Sequence, residues 1–262
     1  MDVSLKGKRA LVCGSTQGIG KAAAVEIASL GASVTLMARD EGKLRAVAAE
    51  LPRGAGQDHD FVAADFASPE AVGAAIKGKL DAASPYHILV NNTGGPAGGP
   101  AIDASPEAFA AAFRMHVLSG QTLVQALVPG MKAAKYGRII NIISTSVKAP
   151  IPNLGVSNTI RAAVANWAKT LAGELAGFGI TVNNVLPGFT DTQRLAELFK
   201  ARAAKTGKSY EAVVQEAIAS IPTGRLGRPE EIGAAVAFLA TPAASYINGI
   251  NVPVDGGRTQ SL

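Results

Sequence analysis

Short apolar runs alternate with longer helical patterns along almost the whole chain. Five runs are nearly continuous in valine, isoleucine and leucine, as is typical of strands buried on both faces, and they span 9–13, 33–37, 87–90, 138–143 and 180–186. Weaker strands are predicted at 60–63 and 250–254. The helical patterns between the strands span 18–30, 40–51, 68–83, 106–134, 156–177 and 229–240.

Alternation of strands and helices produces βαβ units with right-handed crossovers. The predicted fold is therefore α/β, a Rossmann-type doubly wound parallel sheet of about seven strands with helices on both faces. No linker or shift in composition divides residues 1–262, which we interpret as a single domain. An irregular stretch at about 189–222, with two short helices, interrupts the alternation. Because it follows the carboxyl end of a strand, where such sheets bind ligands, we predict a substrate lid there.

The charge balance raises the question of a nucleic-acid partner. With 25 basic and 20 acidic residues the chain carries a formal charge of +5. Its basic residues form only one loose set, which consists of Lys200, Arg202, Lys205 and Lys208. Because there is no basic stripe or aromatic platform, we expect no nucleic-acid partner. The loose set is interpreted as a solvated helix face, with a weak attraction for an anionic substrate tail as the alternative.

Cysteine, histidine and hydropathy patterns point to an intracellular protein without a metal. The single cysteine, Cys13, lies in an apolar run and cannot form an internal disulfide, which suits a reducing cytoplasm. The three histidines are too widely spaced to predict a metal site. No apolar stretch approaches the length of a membrane span, and the amino terminus has no signal-peptide pattern, so we predict a cytoplasmic protein that does not bind membranes.

A glycine-rich turn follows the first predicted strand and opens the first helix. It consists of Gly14, Ser15, Thr16, Gln17, Gly18, Ile19 and Gly20. Three glycines permit a tight turn, a close approach of backbone amides to a pyrophosphate and close helix–strand packing. The start of the helix would face the phosphates. The turn predicts dinucleotide binding, and a purely structural turn is the alternative.

The end of the second predicted strand indicates which dinucleotide is bound. An acidic residue there would bind the ribose 2′-hydroxyl of NAD(H). Here the strand is followed by Ala38 and Arg39, and a guanidinium is suited to a 2′-phosphate. Asp40 comes next and is interpreted as a helix N-cap. The sequence therefore favours NADP(H) over NAD(H).

These motifs resemble the short-chain dehydrogenase/reductase family, especially its branch similar to 3-oxoacyl-acyl-carrier-protein reductases. The resemblance extends almost from end to end and includes the segments 224–231 and 254–257. It implies that Asp65 and Phe66 lie on the adenine side of the cofactor. It also implies contacts from the segment after the fourth strand, which contains Asn92, Thr93 and Gly94. The segment that would lie against the nicotinamide contains Pro187, Gly188, Thr190 and Thr192.

The catalytic positions depart from the family pattern, which has an asparagine, a serine, a tyrosine and a lysine. The resemblance places Ser144 at the serine position, at the end of the fifth strand. The tyrosine position is Ser157, the lysine position is Arg161, and His116 stands in place of the asparagine. Three of the four positions are therefore changed.

The altered residues can still stabilise negative charge on a substrate oxygen, although Ser157 and Arg161 are poorly suited to proton transfer. Ser157 and Arg161 are four residues apart on a predicted helix and share one face. An aliphatic hydroxyl is a weak acid and arginine cannot relay a proton, but Ser144, Ser157 and the guanidinium can donate to developing negative charge on a carbonyl oxygen. His116, with a reference pKa of about 6.5, is the best proton donor of the four, although a purely structural histidine is the alternative.

The sequence leaves two functions open. The first is an NAD(P)-dependent oxidoreductase that transfers hydride to or from a carbonyl or hydroxyl group of a small molecule, similar to a 3-oxoacyl reductase. The second is a catalytically impaired relative that binds the cofactor as a sensor or partner subunit. By resemblance, the helices at 106–134 and 156–177 would form the interface of a homo-oligomer, either a tetramer or a dimer.

Overall fold

A seven-stranded parallel sheet forms the centre of the molecule in the computed structural model, which describes residues 1–261. The strands are β1 (Arg9–Cys13), β2 (Ser33–Ala38), β3 (Asp60–Ala63), β4 (Ile88–Asn91), β5 (Gly137–Ile142), β6 (Ile180–Pro187) and β7 (Asn251–Val254). Their order across the sheet is β3-β2-β1-β4-β5-β6-β7, and every neighbouring pair is parallel. The order reverses between β1 and β4, which creates a crevice at their carboxyl ends.

Helices cover both faces of the sheet. They are α1 (Gly18–Ser29), α2 (Glu41–Glu50), α3 (Pro69–Lys77), α4 (Pro106–Phe113), α5 (Ser119–Ala133), α6 (Gly155–Leu175), α7 (Gln193–Thr206), α8 (Tyr210–Ala219) and α9 (Pro229–Ala240). Successive residues of a strand point to opposite faces of the sheet. Val12 packs in the core that includes α1, α2 and α9, whereas Leu11 packs in the other core, which includes α3, α5 and α6. The predicted doubly wound α/β fold is confirmed.

Two helices differ from the sequence prediction: one ends earlier than predicted, and the other is interrupted. The helix predicted at 68–83 ends at Lys77, because Gly78 is its C-cap and Lys79 turns away to pair with Asp60. The helix predicted at 106–134 is divided by a wide π-type turn at Arg114–Leu118. Such turns insert an extra residue into a helix and are frequent at functional sites. This one carries His116.

A row of asparagine amides crosses four strands beneath the crevice. Asn91 donates to Asn141 at 2.9 Å, Asn141 donates to Asn184 at 2.9 Å, and Asn184 donates to Asn251 at 2.8 Å. The four residues are also register partners in the sheet. Because these buried and half-buried amides pair from strand to strand, the row fixes the relative positions of β4 to β7, whose carboxyl ends carry the candidate site.

Candidate active site

The glycine turn joins β1 to α1 with two residues in the left-handed region. Gly14 has φ of 59° and Gly18 has φ of 55°, a conformation that L side chains adopt only with strain. Gln17, the N-cap of α1, makes no side-chain capping bond, and the first turn has no acidic residue. The first backbone N–H groups of α1 therefore remain available to an anion at the positive end of the helix.

Asn92 fixes the shape of this turn from β4. Its Nδ2 atom donates to the carbonyl oxygens of Cys13, at 3.3 Å, and Gly14, at 3.2 Å. A Cβ atom at Gly14 would lie 2.7 Å from Nδ2, and one at Gly20 would lie 2.6 Å from it. Two of the three glycines are thus required by the fold itself, because backbone carbonyl oxygens and the Asn92 carboxamide occupy the space that their side chains would fill.

The turn fits the diphosphate of a dinucleotide. Ser15 is completely buried, and its Oγ atom has no hydrogen-bond partner among the described residues. A Cβ atom at Gly18 would lie 3.3 Å from Cγ2 of Thr192, so the turn faces the segment after β6. A buried hydroxyl without a partner, next to open helix amides, is suited to donate a hydrogen bond to a bound anion. Ser15, the amides of 18–20 and Thr192 are the groups that would hold it.

The residues expected near the ribose and adenine lie at the ends of β2 and β3. Arg39 is exposed, and its guanidinium makes no bond to any residue among 1–261. Asp40 accepts from the backbone N–H of Lys43 at 3.0 Å, which confirms its predicted role as an N-cap. Asp65 is exposed and accepts from the N–H of Ala67 at 2.9 Å, whereas Phe66 is buried. Arg39 is therefore free to bind a phosphate.

A small pocket at the carboxyl ends of β4 and β5 brings several predicted residues together. Its lining includes the predicted site residues Phe66, Asn92, Thr93, His116 and Arg161. Cofactor and catalytic candidates therefore share one pocket. Gly94, which follows Thr93, is exposed in the loop after β4.

His116 is fixed in this pocket by Thr93. Nδ1 of His116 lies 2.6 Å from Oγ1 of Thr93, while Nε2 is buried without a partner among the described residues. Burial, and then the charge of Arg161, lower the pKa of His116 to about 3. The ring is therefore neutral near pH 7, because burial and the charge of Arg161 both disfavour its protonated form. The reference pKa of about 6.5 does not hold in this pocket, and a role of His116 in catalysis stays a prediction. A neutral ring can still donate an Nε2–H hydrogen bond.

Arg161 supplies the positive charge of the pocket. Only 9% of the residue is exposed, and Nη1 donates to the carbonyl oxygen of Ile142 at 2.9 Å. Burial, and then the charge of Arg194, lower the pKa of Arg161 to about 10. The guanidinium stays protonated near neutral pH, and most of its donors are not used by backbone carbonyls.

The two serines lie outside the lining of this pocket. Oγ of Ser144 accepts from the backbone N–H of Ser146 at 3.0 Å and caps the short turn after β5. Ser157 is half-buried in the first turn of α6, one turn before Arg161. The structure therefore groups His116 with Arg161 but places neither serine among the lining residues.

The segment after β6 crosses from the sheet to α7. Gly188 packs so closely on Asp255 that a Cβ atom would lie 2.6 Å from the Asp255 side chain. Thr190 donates to the carbonyl oxygen of Gly188 at 3.3 Å, and Thr192 caps α7 by accepting from the N–H of Leu195 at 3.3 Å. Pro187 ends β6 itself. These local bonds fix the conformation of the segment, in which Thr192 lies opposite Gly18 of the glycine turn.

Sequence reasoning missed Arg194, in the first turn of α7. Its Nη2 atom donates to the carbonyl oxygen of Pro96 at 2.8 Å, so it bridges from α7 to the loop after β4. A signal was present: a cation in the first turn of a helix is disfavoured by the helix dipole and has no local partner.

Residues 1–261 contain neither a membrane-spanning helix nor a metal-binding cluster. No helix of residues 1–261 is both long and apolar enough to cross a membrane. No group of three or more histidine, cysteine, aspartate or glutamate side chains in that range could hold a metal ion.

Comparisons with known proteins agree with this geometry. A family model described as Enoyl-(Acyl carrier protein) reductase matches residues 14–259. The 3-oxoacyl-[acyl-carrier-protein] reductase FabG of Vibrio cholerae is 35% identical and covers 97% of this chain and 98% of its own length. The L-sorbose reductase of Gluconobacter frateurii, solved with NADPH and L-sorbose, has a TM-score of 0.92 at 32% identity and covers all of both chains. A short chain dehydrogenase/reductase family protein has a TM-score of 0.81 at 33% identity, with 97% of this chain and 99% of its own covered.

Proposed function

The chain belongs to the short-chain dehydrogenase/reductase family and is an NAD(P)-dependent oxidoreductase similar to 3-oxoacyl reductases, and we propose that it transfers hydride between NADP(H) and the carbonyl or hydroxyl group of a small substrate. The observation that carries this proposal is the placement of an open helix N-terminus beside a pocket. The amides of α1 lie at the end of β1, and the pocket that holds Arg161 and His116 lies at the ends of the neighbouring β4 and β5. A dinucleotide bound at the first would present its reactive ring near the second.

Arg39 supports NADP(H) as the cofactor in preference to NAD(H). It is exposed at the end of β2, without a partner among residues 1–261, and no carboxylate occupies the position before it. A planar guanidinium binds a 2′-phosphate through paired, charge-assisted hydrogen bonds. The similar reductase from Gluconobacter frateurii was solved with NADPH, which supports the same preference.

Replacing Arg39 by glutamine should weaken NADPH binding and leave NADH binding nearly unchanged. Loss of a charge-assisted bond to the phosphate predicts a drop of roughly ten- to a hundredfold in NADPH affinity. Both affinities are measured by nicotinamide fluorescence. The control is Arg45→Gln, since Arg45 is an exposed arginine of α2 that pairs with Glu41. Equal losses for the two cofactors would remove Arg39 from phosphate recognition.

In the proposed mechanism the chain binds and polarises the substrate. The bound cofactor supplies or accepts the hydride. Arg161 and the neutral Nε2–H of His116 donate hydrogen bonds into the pocket, where they stabilise negative charge on a substrate oxygen. Ser144 and Ser157 are proposed to donate from the rim. Burial shifts the pKa of His116 to about 3 and that of Arg161 to about 10, and an aliphatic hydroxyl is a weak acid, so none of the four groups is an efficient general acid near pH 7. We propose that water supplies the proton to the substrate oxygen, and we expect slow turnover.

A panel of carbonyl compounds tests the function directly. NADPH oxidation is followed with ketones, aldehydes and a 3-oxoacyl thioester, and we expect measurable turnover of a narrow set. The control is Arg45→Gln, which removes an exposed charge of α2 outside the pocket lining and should leave every rate unchanged. NADPH binding without turnover of any compound would favour the sensor or partner-subunit alternative.

We propose that residues 1–262 form one domain, that α7 and α8 act as the substrate lid, and that the protein works in the cytoplasm. Its α4, α5 and α6 helices are proposed to form a homo-oligomer interface, in a dimer or a tetramer. The exposure of Phe113 and Leu118 on this surface supports an interface, since large apolar side chains gain from being covered.

A further inference from the structure

Two arginines from different helices meet beside one glycine of the loop after β4. A Cβ atom at Gly95 would lie 3.8 Å from Nη2 of Arg194 and 4.0 Å from Nη2 of Arg161. Arg161 comes from α6 and lines the pocket, whereas Arg194 comes from α7. The two guanidinium groups therefore border the same space beside Gly95.

Neither guanidinium is neutralised by the protein. None of the ion pairs within residues 1–261 includes Arg161 or Arg194. Their recorded acceptors are backbone carbonyl oxygens, Ile142 for Arg161 and Pro96 and Gly95 for Arg194. A carbonyl oxygen satisfies one donor but does not offset a full positive charge. Repulsion between the two cations, of which Arg194 is exposed to solvent, is therefore not offset by a paired carboxylate.

Two further features favour a negatively charged or hydrogen-bond-accepting ligand at this place. Arg194 lies in the first turn of α7, which contains no acidic residue, so the positive end of the helix dipole adds to the charge of the side chain. On the pocket side, Nε2 of His116 is buried without a partner among the described residues. When the Thr93 hydroxyl donates to Nδ1, Nε2 carries the ring proton and needs an acceptor.

We propose that Arg161 and Arg194 bind a carboxylate of the substrate, so that the substrate is a 2-oxo or 3-oxo acid with a free carboxylate, or the corresponding hydroxy acid. This inference rests on the proposed function. A carboxylate accepts paired hydrogen bonds from a guanidinium fork, and a neighbouring oxo group would lie within reach of the Nε2–H of His116. A singly charged group also costs less to bring beside a buried arginine than a doubly charged phosphate does.

Binding to the NADP⁺ complex isolates this contact from turnover, because an oxo acid cannot be reduced by the oxidised cofactor. The probes are 2-oxohexanoate and 3-oxohexanoate, each compared by calorimetry with its methyl ester, which keeps the carbonyl and loses the charge. We expect at least one acid to bind about tenfold or more tightly than its ester, as one charge-assisted contact predicts. Equal binding of acid and ester, or binding of neither acid, would overturn the inference.

Variants on α7 assign the effect to Arg194. Arg194→Gln should lower the affinity for the acid roughly tenfold and leave that for the ester unchanged, and Arg194→Lys should restore much of the loss. Lys77→Gln removes an equal charge from an exposed position in the last turn of α3, outside the proposed lid, and should change neither affinity. Equal effects of Arg194→Gln and Lys77→Gln would overturn the paired-arginine site. Reduction of neutral ketones by NADPH would uphold the proposed function even in that case.

Discussion

Replacing Gly20 by alanine is expected to abolish NADPH binding and to lower the free energy of unfolding by about 3 kcal/mol, the upper end of the usual cost of overpacking a filled site. The new Cβ atom would lie 2.6 Å from Nδ2 of Asn92 and closer still to the carbonyl oxygen of Gly14. Asn92 would have to leave its bonds to Cys13 and Gly14, and the turn would lose its shape. Denaturant unfolding and nicotinamide fluorescence measure the two effects.

Gly173→Ala is the matched control, because both glycines lie in helices. A Cβ atom at Gly173 meets nothing within 4 Å, and the position is exposed in α6. This change should raise stability by up to about 1 kcal/mol through helix propensity and leave NADPH binding unchanged. Normal stability and normal NADPH affinity in Gly20→Ala would contradict the close packing of Asn92 in the turn.

Restoring the tyrosine and lysine of the family pattern should accelerate reduction of neutral ketones. In the double variant Ser157→Tyr/Arg161→Lys, a phenol stands one helical turn from an ammonium, which lowers the phenol pKa from about 10 and provides a general acid. General acid catalysis typically contributes about 100-fold or more, so we expect a rise of that size in kcat for neutral ketones. Steady-state NADPH oxidation measures it.

The control for this pair is Ser157→Phe/Arg161→Lys, which adds the same ring without the hydroxyl. It should remain as slow as the unmodified chain. If the tyrosine variant binds NADPH and is no faster than the phenylalanine control, position 157 does not face the reacting carbonyl. Ser157 lies outside the pocket lining, so the tyrosine ring has to reach the carbonyl from the first turn of α6 for the prediction to hold.

Elements with strong local signals could be predicted from the sequence. The buried strands were found because their apolar runs are continuous, and β1 and β3 have the predicted limits. Asp40 could be assigned as an N-cap because its side chain bonds three residues ahead, a purely local event. The glycine turn was recognised from its spacing, although the part played by Asn92 depends on a contact between residues about 80 positions apart.

Features that depend on tertiary contacts could not be predicted. The π-type turn at Arg114–Leu118 occurs in a sequence compatible with a regular helix, and only the fold reveals it. The pKa of His116 depends on burial and on Arg161, which lies 45 positions away in the chain. No local pattern places Arg194 near Arg161, because only the packing of α7 brings both side chains to Gly95. In each case the local sequence lacks the information because the deciding partner comes from another element.

Calorimetric titration of NADPH into the unmodified chain tests the central claim most directly, since the proposed hydride transfer requires a dinucleotide at the turn between β1 and α1. We expect saturable binding of one NADPH per chain, tighter than that of NADH, and competition by NADP⁺. An absence of binding by NADPH and NADH in a chain that unfolds cooperatively would contradict it.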